Sequence, residues 1–271
     1  MGQLMSDIYD SAPQFYRLRN RTAVTSDPRA KSPPAIDWTH PKHSVTLKSG
    51  LPLSMTSGTP VAPPDSKALK FQLLLKRVLI DIPLSAMALI VLSPLLLGVA
   101  LAIRLTSKGP ALFKQTRVGL DGREFKMLKF RSMRTEAGDH TGVKQTVAAD
   151  DRVTPIGRFL RATSLDELPQ LWNILVGDMA VIGPRPMVPG QLAAGVDYNQ
   201  VVPYYDYRHR VKPGLSGWAQ ANGLRGPTTD IVSARDRIDH DCAYVQNFSL
   251  ALDIRIIIQT LAREFLTGSG I

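Results

Sequence analysis

The chain has 271 residues, 44% of them hydrophobic, which is enough for a true core and excludes a wholly disordered protein. Its net charge of +10 calls for an anionic partner, and composition leaves open nucleic acid, an anionic membrane surface or a phosphorylated substrate. The single cysteine, Cys242, excludes an intrachain disulfide, and no Cys/His cluster has the spacing of a zinc site.

The N-terminal quarter differs in composition from the rest of the chain. Residues 1–66 contain nine of the 20 prolines and show no sustained helix or strand periodicity. We therefore predict a disordered, Pro-rich tail over residues 1–66.

A long apolar segment follows this tail. From Ile82 to Ile103 there are 22 consecutive residues without a charge, which as a helix extend ~33 Å and match the hydrocarbon core of a bilayer. The alternative, a buried soluble helix, needs a larger protein around it. Lys and Arg flank both ends, whereas a spanning helix keeps them mainly on one side, and Pro94 after Ser93 predicts a bend. We predict a re-entrant membrane helix over residues 67–107.

In the rest of the chain, residues 108–271, the sequence patterns predict a mixture of short strands and helices. Ala111–Val118 and Arg123–Arg131 read as two strands joined at Gly119–Gly122, which predicts a basic hairpin beside the membrane. A short buried strand is predicted at Met179–Gly183, and a terminal helix with one apolar face follows Leu250. The predicted fold class is α+β and membrane-associated (monotopic), with a re-entrant helix, short strands and amphipathic interfacial helices.

Two adjacent carboxylates, Asp166 and Glu167, precede an apolar helix. Such a pair can hold a divalent cation and offer an anionic oxygen to an electrophile. Ser164 and Glu167 also have the spacing of a capping box, so the pair could simply start a helix. Pro169 favours a helix that begins near it, which leaves the pair on an entry turn facing a ligand. Local sequence leaves both interpretations open.

Arg185 lies between two prolines, Pro184 and Pro186, directly after the predicted buried strand. Its restricted backbone suits a cation that must meet a phosphate in one geometry. A rigid turn with an exposed arginine is an equally open interpretation.

Five stretches, in consistent order over residues 67–271, together resemble the bacterial sugar transferase family, the monotopic phosphoglycosyl transferases that begin exopolysaccharide, capsule and glycoconjugate assembly. They are the basic-flanked apolar segment with Ser93-Pro94, Lys129–Met133, Ser164–Gln170, Gly183–Pro186 and Lys212–Gln220. The chain resembles the short, exopolysaccharide-initiating form of this family.

The resemblance implies an enzyme that moves a sugar 1-phosphate from a UDP-sugar to undecaprenyl phosphate and releases UMP, with Mg²⁺ as cofactor. It implies that Asp166 is the nucleophile that takes the phosphosugar covalently, that Glu167 is its catalytic partner, and that both hold the metal. The cations matched to substrate phosphates are Lys129, Arg131, Arg161, Arg185 and Arg225. Such a set is physically reasonable, because a carboxylate can approach a diphosphate only where cations screen the negative charges.

The same resemblance implies a location on the cytoplasmic face of the bacterial inner membrane, with residues 108–271 as the cytoplasmic catalytic domain. The implied partners are the two substrates and inner-membrane lipid, with a possible homodimer and no nucleic acid. Two alternatives are a non-enzymatic, basic, membrane-anchored protein that binds nucleic acid or acidic lipid, and a metal-dependent polyprenyl-diphosphate phosphatase.

Overall fold

A computed structural model describes residues 43–56, 59–61, 66–134, 150–226, 228 and 230–267. The strands are β1 His43–Thr46, β2 Pro52–Thr56, β3 Thr59–Pro60, β4 Leu112–Val118, β5 Glu124–Phe130, β6 Ala180–Ile182, β7 Leu192–Ala193, β8 Val196–Asp197 and β9 Gly214–Ser216. The helices are α1 Ser66–Lys76, α2 Ile82–Thr106, α3 Pro155–Ala162, α4 Gln170–Val176, α5 Tyr198–Val201, α6 Trp218–Ala221, α7 Ile231–Gln246 and α8 Leu250–Thr267. This is the predicted mixture of helices and short strands.

The strands form small separate sheets. Strands β1, β2 and β3 make an antiparallel sheet in that order, β4 pairs with β5, and β7 pairs with β8, both antiparallel. Strand β6 pairs with β9 in parallel, with Ala180 opposite Gly214 and Ile182 opposite Ser216. This parallel pair brings the segment after β6 next to the segment around β9.

The predicted basic hairpin is confirmed. Strands β4 and β5 pair along their whole length, from Leu112 opposite Phe130 to Val118 opposite Glu124, and a 3₁₀ turn over Leu120–Gly122 joins them. Met127 is buried, so one face of the hairpin packs on the core and holds the two strands in this register.

The prediction of a tail without regular structure is wrong for residues 43–56 and 59–60, which contain β1, β2 and β3. Leu53 is buried in the main core, and the Gln246 side chain of α7 exchanges two 2.8 Å hydrogen bonds with the backbone of Ser54. These strands are short and depend on contacts nearly 200 positions away, so no local periodicity marks them. The other parts of the predicted tail, residues 1–42, 57–58 and 62–65, lie outside the described residues.

Helix α1, a π-helical turn over Arg77–Asp81 and α2 follow one another, and Leu69–Thr106 is one helical segment long and apolar enough to cross a membrane. Almost none of its most apolar part is buried. The helix continues through Pro94, which cannot donate to Ile90 O, and the Ser93 hydroxyl donates to that carbonyl instead at 2.8 Å. The predicted bend and return through the same face remain a prediction.

Among the residues that the structure describes, two hydrophobic clusters make the core. The larger holds Trp218, Tyr244 and their neighbours, and the smaller holds Ile103, Phe130 and Leu160. Helix α2 contacts both clusters. Four of its residues before Pro94 pack on the larger cluster and three after it pack on the smaller one: Leu84, Ala88, Leu89 and Leu92, then Leu96, Val99 and Ala100.

Candidate active site

The adjacent carboxylates lie on a 3₁₀ turn of their own, Leu165–Glu167, between α3 and α4. Ser164 has a left-handed backbone (φ 55°), and its side chain makes no capping hydrogen bond. The capping-box interpretation is therefore wrong. Helix α4 begins at Gln170, directly after Pro169, as the proline predicts. The turn holds Asp166 and Glu167 outside any regular helix.

Glu167 is bound by two cations. Lys129 Nζ, from β5, donates to Glu167 Oε1 at 2.7 Å, and Arg185 donates to both carboxylate oxygens at 2.5 and 3.2 Å. Burial alone raises the pKa of Glu167, but Arg185 and Lys129 outweigh it and hold this pKa well below its ordinary range. Glu167 is therefore ionised, and its oxygens orient the two cations.

Asp166 is in a different state from its neighbour. Its side chain is buried, and within the described residues no hydrogen bond reaches its carboxylate. Burial raises the pKa of Asp166; Lys129 opposes this shift, Glu167 adds to it and Arg161 opposes it. The two carboxylates thus differ: Glu167 is held by the protein's own cations, whereas the lone pairs of Asp166 are available to a ligand.

Three of the five predicted cations converge on this pair. Lys129 and Arg185 bind Glu167, and Arg161 lies close enough for its charge to lower the pKa of Asp166. The Arg161 guanidinium is held in place because its Nε donates to Ser132 Oγ at 2.8 Å.

The structure places the other two predicted cations differently. Arg131 Nη2 donates to the carbonyl and hydroxyl oxygens of Ser107 at 2.8 and 2.7 Å, which ties the end of β5 to the end of α2. Among the described residues, no hydrogen bond or ion pair joins Arg131 to the carboxylate pair. Arg225 follows α6 and is half-buried. Phosphate binding by Arg131 and Arg225 stays a prediction.

Arg117 of β4 is a further cation at the site that the sequence did not single out. Its guanidinium donates to Pro186 O at 3.0 Å and to Gln115 Oε1 at 2.5 Å. Burial lowers the pKa of Arg117 to about 10, and repulsion from Arg185 adds to the shift. The register of the hairpin is what places Arg117 at the site. Phe113 pairs with Lys129 and Arg117 pairs with Phe125, so Arg117 and Lys129 lie on the same face of the hairpin.

The donor set fits Mg²⁺ completed by substrate. Mg²⁺ is commonly held by one or two carboxylates together with water and phosphate oxygens. Asp166 supplies a carboxylate without a hydrogen-bond donor among the described residues, and Glu167 retains an acceptor position beyond its three hydrogen bonds. No cluster of three or more His, Cys, Asp or Glu side chains occurs in the described ranges, so an all-protein metal cage is not formed there.

The site is a carboxylate pair, with Asp166 buried and Glu167 half-buried, surrounded by cations and close to a helix of membrane length. Such a site is suited to phosphate chemistry at a membrane. Comparison with known proteins agrees: the family model described as bacterial sugar transferase matches residues 71–267. The chain belongs to the bacterial sugar transferase family, which is a family of enzymes.

Three relatives illustrate the similarity. The exopolysaccharide production protein PSS of Rhizobium leguminosarum bv. phaseoli is 52% identical over 198 residues, which is 73% of this chain and 98% of the relative. The UDP-glucose:undecaprenyl-phosphate glucose-1-phosphate transferases of Escherichia coli and Caulobacter vibrioides are 43% and 48% identical. The alignment with the Escherichia coli protein covers 80% of this chain and 46% of that protein. The alignment with the Caulobacter protein covers 72% of this chain and 71% of that protein. The chain thus matches less than half the length of the Escherichia coli relative.

Proposed function

We propose that this protein transfers a sugar 1-phosphate from a UDP-sugar to undecaprenyl phosphate, releasing UMP, on the cytoplasmic face of the bacterial inner membrane. The proposal rests on the difference in hydrogen bonding between the two carboxylates. Asp166 is buried without a hydrogen-bond donor among the described residues, beside Glu167 bound by Lys129 and Arg185. The names of the Escherichia coli and Caulobacter relatives support the substrates and the direction of transfer.

In the proposed first half reaction, a carboxylate oxygen of Asp166 attacks the phosphorus that bears the sugar. The bond from this phosphorus to the bridging oxygen breaks, and UMP leaves with the electron pair. Lys129, Arg161 and Arg185 supply positive charge for the phosphate oxygens as negative charge develops on them. Mg²⁺ held by Asp166 and Glu167 would screen the diphosphate from the attacking carboxylate.

In the second half reaction, a phosphate oxygen of undecaprenyl phosphate attacks the same phosphorus, and the Asp166 carboxylate leaves. The product is the polyprenyl diphosphate sugar, and Asp166 returns ionised for the next cycle. Glu167 keeps its place in both steps because two cations hold it, so the phosphate-binding groups are already oriented before substrate arrives.

UDP-glucose is the sugar donor to test first, because the relatives from Escherichia coli, Klebsiella pneumoniae, Xanthomonas campestris and Caulobacter carry glucose in their names. An Aeromonas hydrophila relative, 43% identical over 190 residues, is named for N-acetylgalactosamine. UDP-N-acetylgalactosamine is therefore the second donor to test.

We propose further that α2 enters the membrane and leaves on the same face. Lys76, just before the apolar segment, forms a buried 2.9 Å ion pair with Asp253 of α8. Ser107, just after it, accepts two hydrogen bonds from Arg131. Both ends of the segment thus belong to one folded unit, whereas the ends of a spanning helix are separated by about 30 Å of hydrocarbon.

The covalent mechanism has a direct test. With UDP-glucose and Mg²⁺ but no polyprenyl phosphate, the purified protein is expected to release UMP in a burst of up to one per active site. Asp166→Asn is expected to abolish the burst, and intact mass spectrometry of the wild type is expected to find the phosphosugar on Asp166. The control is Asp121→Asn, the same chemical change at an exposed turn residue whose left-handed backbone Asn tolerates.

Other results would decide against parts of this proposal. An adduct on another residue, or a normal burst from Asp166→Asn, would remove Asp166 as nucleophile. UMP release that requires polyprenyl phosphate would favour direct transfer. Hydrolysis of a polyprenyl diphosphate without any UDP-sugar would favour the phosphatase, and no turnover of any substrate would favour the binding protein.

The membrane topology has a separate test. Single cysteines replace Lys70 and Lys108, both exposed at opposite ends of the segment. Cys242 can stay, because it is fully buried and burial raises the pKa of its thiol well above the ordinary value. Both introduced cysteines are expected to react with a membrane-impermeant maleimide only after the inner membrane is opened. Labelling of one of them in intact spheroplasts would mean that the segment spans.

A further inference from the structure

The turn Pro184–Pro186, which carries Arg185, lacks two of its own backbone donors. Neither proline has an N–H, so the turn must be held largely by donors from elsewhere. Gly183, just before it, packs against the neighbouring backbone so closely that an added Cβ would lie 2.3 Å from Lys212 O. The turn is therefore built around contacts with the segment near β9.

Each of the three carbonyls of this turn accepts one hydrogen bond, and each donor comes from a different part of the fold. Gly214 N donates to Pro184 O at 3.0 Å, Arg208 Nη2 to Arg185 O at 2.6 Å, and Arg117 Nη1 to Pro186 O at 3.0 Å. The central residue is thus held at both ends, because its guanidinium binds Glu167 and its carbonyl oxygen accepts from Arg208.

Arg208 is itself fixed by a buried ion pair. Its side chain is 1% exposed and that of Asp241 is 2% exposed, and two guanidinium nitrogens lie 2.9 and 2.7 Å from Asp241 Oδ2. Such pairs contribute little net stability, because desolvation of the charges offsets their attraction. What this pair specifically provides is a rigid, charge-assisted donor aimed at the backbone of Arg185.

We infer that Arg208, oriented by Asp241, is a positioning residue that sets where the Arg185 guanidinium meets the carboxylate pair. The inference rests on the proposed function, in which Arg185 binds a substrate phosphate. Arg208 makes no contact with the carboxylates within the described part of the chain and acts only through Arg185. Strand β9 helps to hold the same turn, because the Gly214 N–H donates to the carbonyl oxygen of Pro184.

A double-mutant cycle tests this role. Arg208→Lys keeps the charge but loses the planar fork that spans Asp241 and the Arg185 carbonyl. It is expected to lower kcat/KM for UMP release by about 10²-fold in the wild-type background, the cost of misplacing a binding group by about 1 Å. In an Arg185→Lys background the further loss is expected to stay within about twofold. A merely structural role would give the same factor in both backgrounds.

A second measurement does not depend on activity. Hydrogen–deuterium exchange in the peptide spanning residues 183–188 of the full-length protein is expected to speed up in Arg208→Lys while exchange in β4 and β5 is unchanged. If the wild type releases no UMP, the proposed function fails, and the exchange experiment still reports whether Arg208 holds the turn.

Two further variants keep the test decisive. Arg210→Lys is the matched control, because Arg210 is exposed, stacks on the Tyr207 ring at 4.7 Å and makes no hydrogen bond to the turn in the described residues. It is expected to match the wild type in both assays. If Arg208→Lys does not fold, Asp241→Asn weakens the same clamp and is expected to show the same non-additivity with Arg185→Lys. Equal losses in both backgrounds, or unchanged exchange in residues 183–188, would overturn the inference.

Discussion

Gly157 in α3 packs against the backbone of Ser132, the residue whose hydroxyl holds the Arg161 side chain. A Cβ added to Gly157 would lie 2.0 Å from Ser132 O, and 2.7 and 2.8 Å from two further backbone atoms of Ser132. Ordinary van der Waals contact begins at 3.4 Å, so Gly157→Ala must push α3 and the Ser132 backbone apart by about 1.4 Å. No side chain can rotate to relieve this clash, because all three atoms belong to the main chain.

The displacement reaches the active site through Arg161. Its Nε donates to Ser132 Oγ at 2.8 Å, and a shift of more than 1 Å breaks that hydrogen bond. Overpacking of this kind costs about 1–3 kcal/mol of folding free energy. Misplacing a phosphate-binding group by about 1 Å lowers turnover by up to about 10²-fold.

The assay compares two Gly→Ala variants in the same detergent. Gly157→Ala is expected to lower the unfolding midpoint by about 2–4 °C for each kcal/mol lost, and to lower the rate of UMP release. Gly98→Ala is the control, because a Cβ added to Gly98 in α2 would meet no neighbouring atom within 4 Å, and Ala favours a helix. A Gly157→Ala variant with a wild-type midpoint and turnover within about twofold of wild type would show that this contact does not support the site.

Two further predictions concern pH and the N-terminal sheet. Asp166 must be ionised to attack and burial raises its pKa, so UMP release is expected to fall as the pH drops through that raised pKa. Lys129→Met removes a charge that lowers this pKa, so the acidic side of the pH–rate profile is expected to move to higher pH. A move to lower pH would contradict the role of Asp166 as the nucleophile. Leu53→Ala is expected to lower the free energy of unfolding by about 2–5 kcal/mol, because Leu53 is 4% exposed. Val61→Ala, at a side chain 41% exposed, should change it by less than about 0.5 kcal/mol, and equal midpoints for the two variants would show that the sheet is not part of the core.

Much of the architecture is predictable from local sequence. The uncharged run from Ile82 predicts a membrane-length helix, because its length and hydrophobicity are properties of the segment itself and do not depend on contacts elsewhere in the fold. The turn signals at Gly119 and Gly122 predict the hairpin, and Pro169 predicts the start of α4, because backbone geometry at these residues depends on the residue itself.

The conflict over Ser164 and Glu167 shows where local rules stop. Their spacing suits a capping box, yet the left-handed backbone at Ser164 gives a separate 3₁₀ turn, and Glu167 pairs with cations instead of a backbone N–H. A carboxylate has several strong partners to choose from, and which of them is near depends on residues 18 and 38 positions away.

The chain alone therefore determined the membrane-length helix, the hairpin and the turn around Pro169, because each of these depends on contiguous residues. It also determined the family, because the five stretches that identify it are short and keep a consistent order along the sequence. Only the tertiary structure decided which cations meet the carboxylates, bringing Lys129 and Arg185 to Glu167 while turning Arg131 toward Ser107. It alone decided that β1, β2 and β3 form, since strands of two to five residues gain their stability from α7 and the core. The physical reason is common to both: charge pairing and burial act between residues far apart in sequence, and only packing sets those distances.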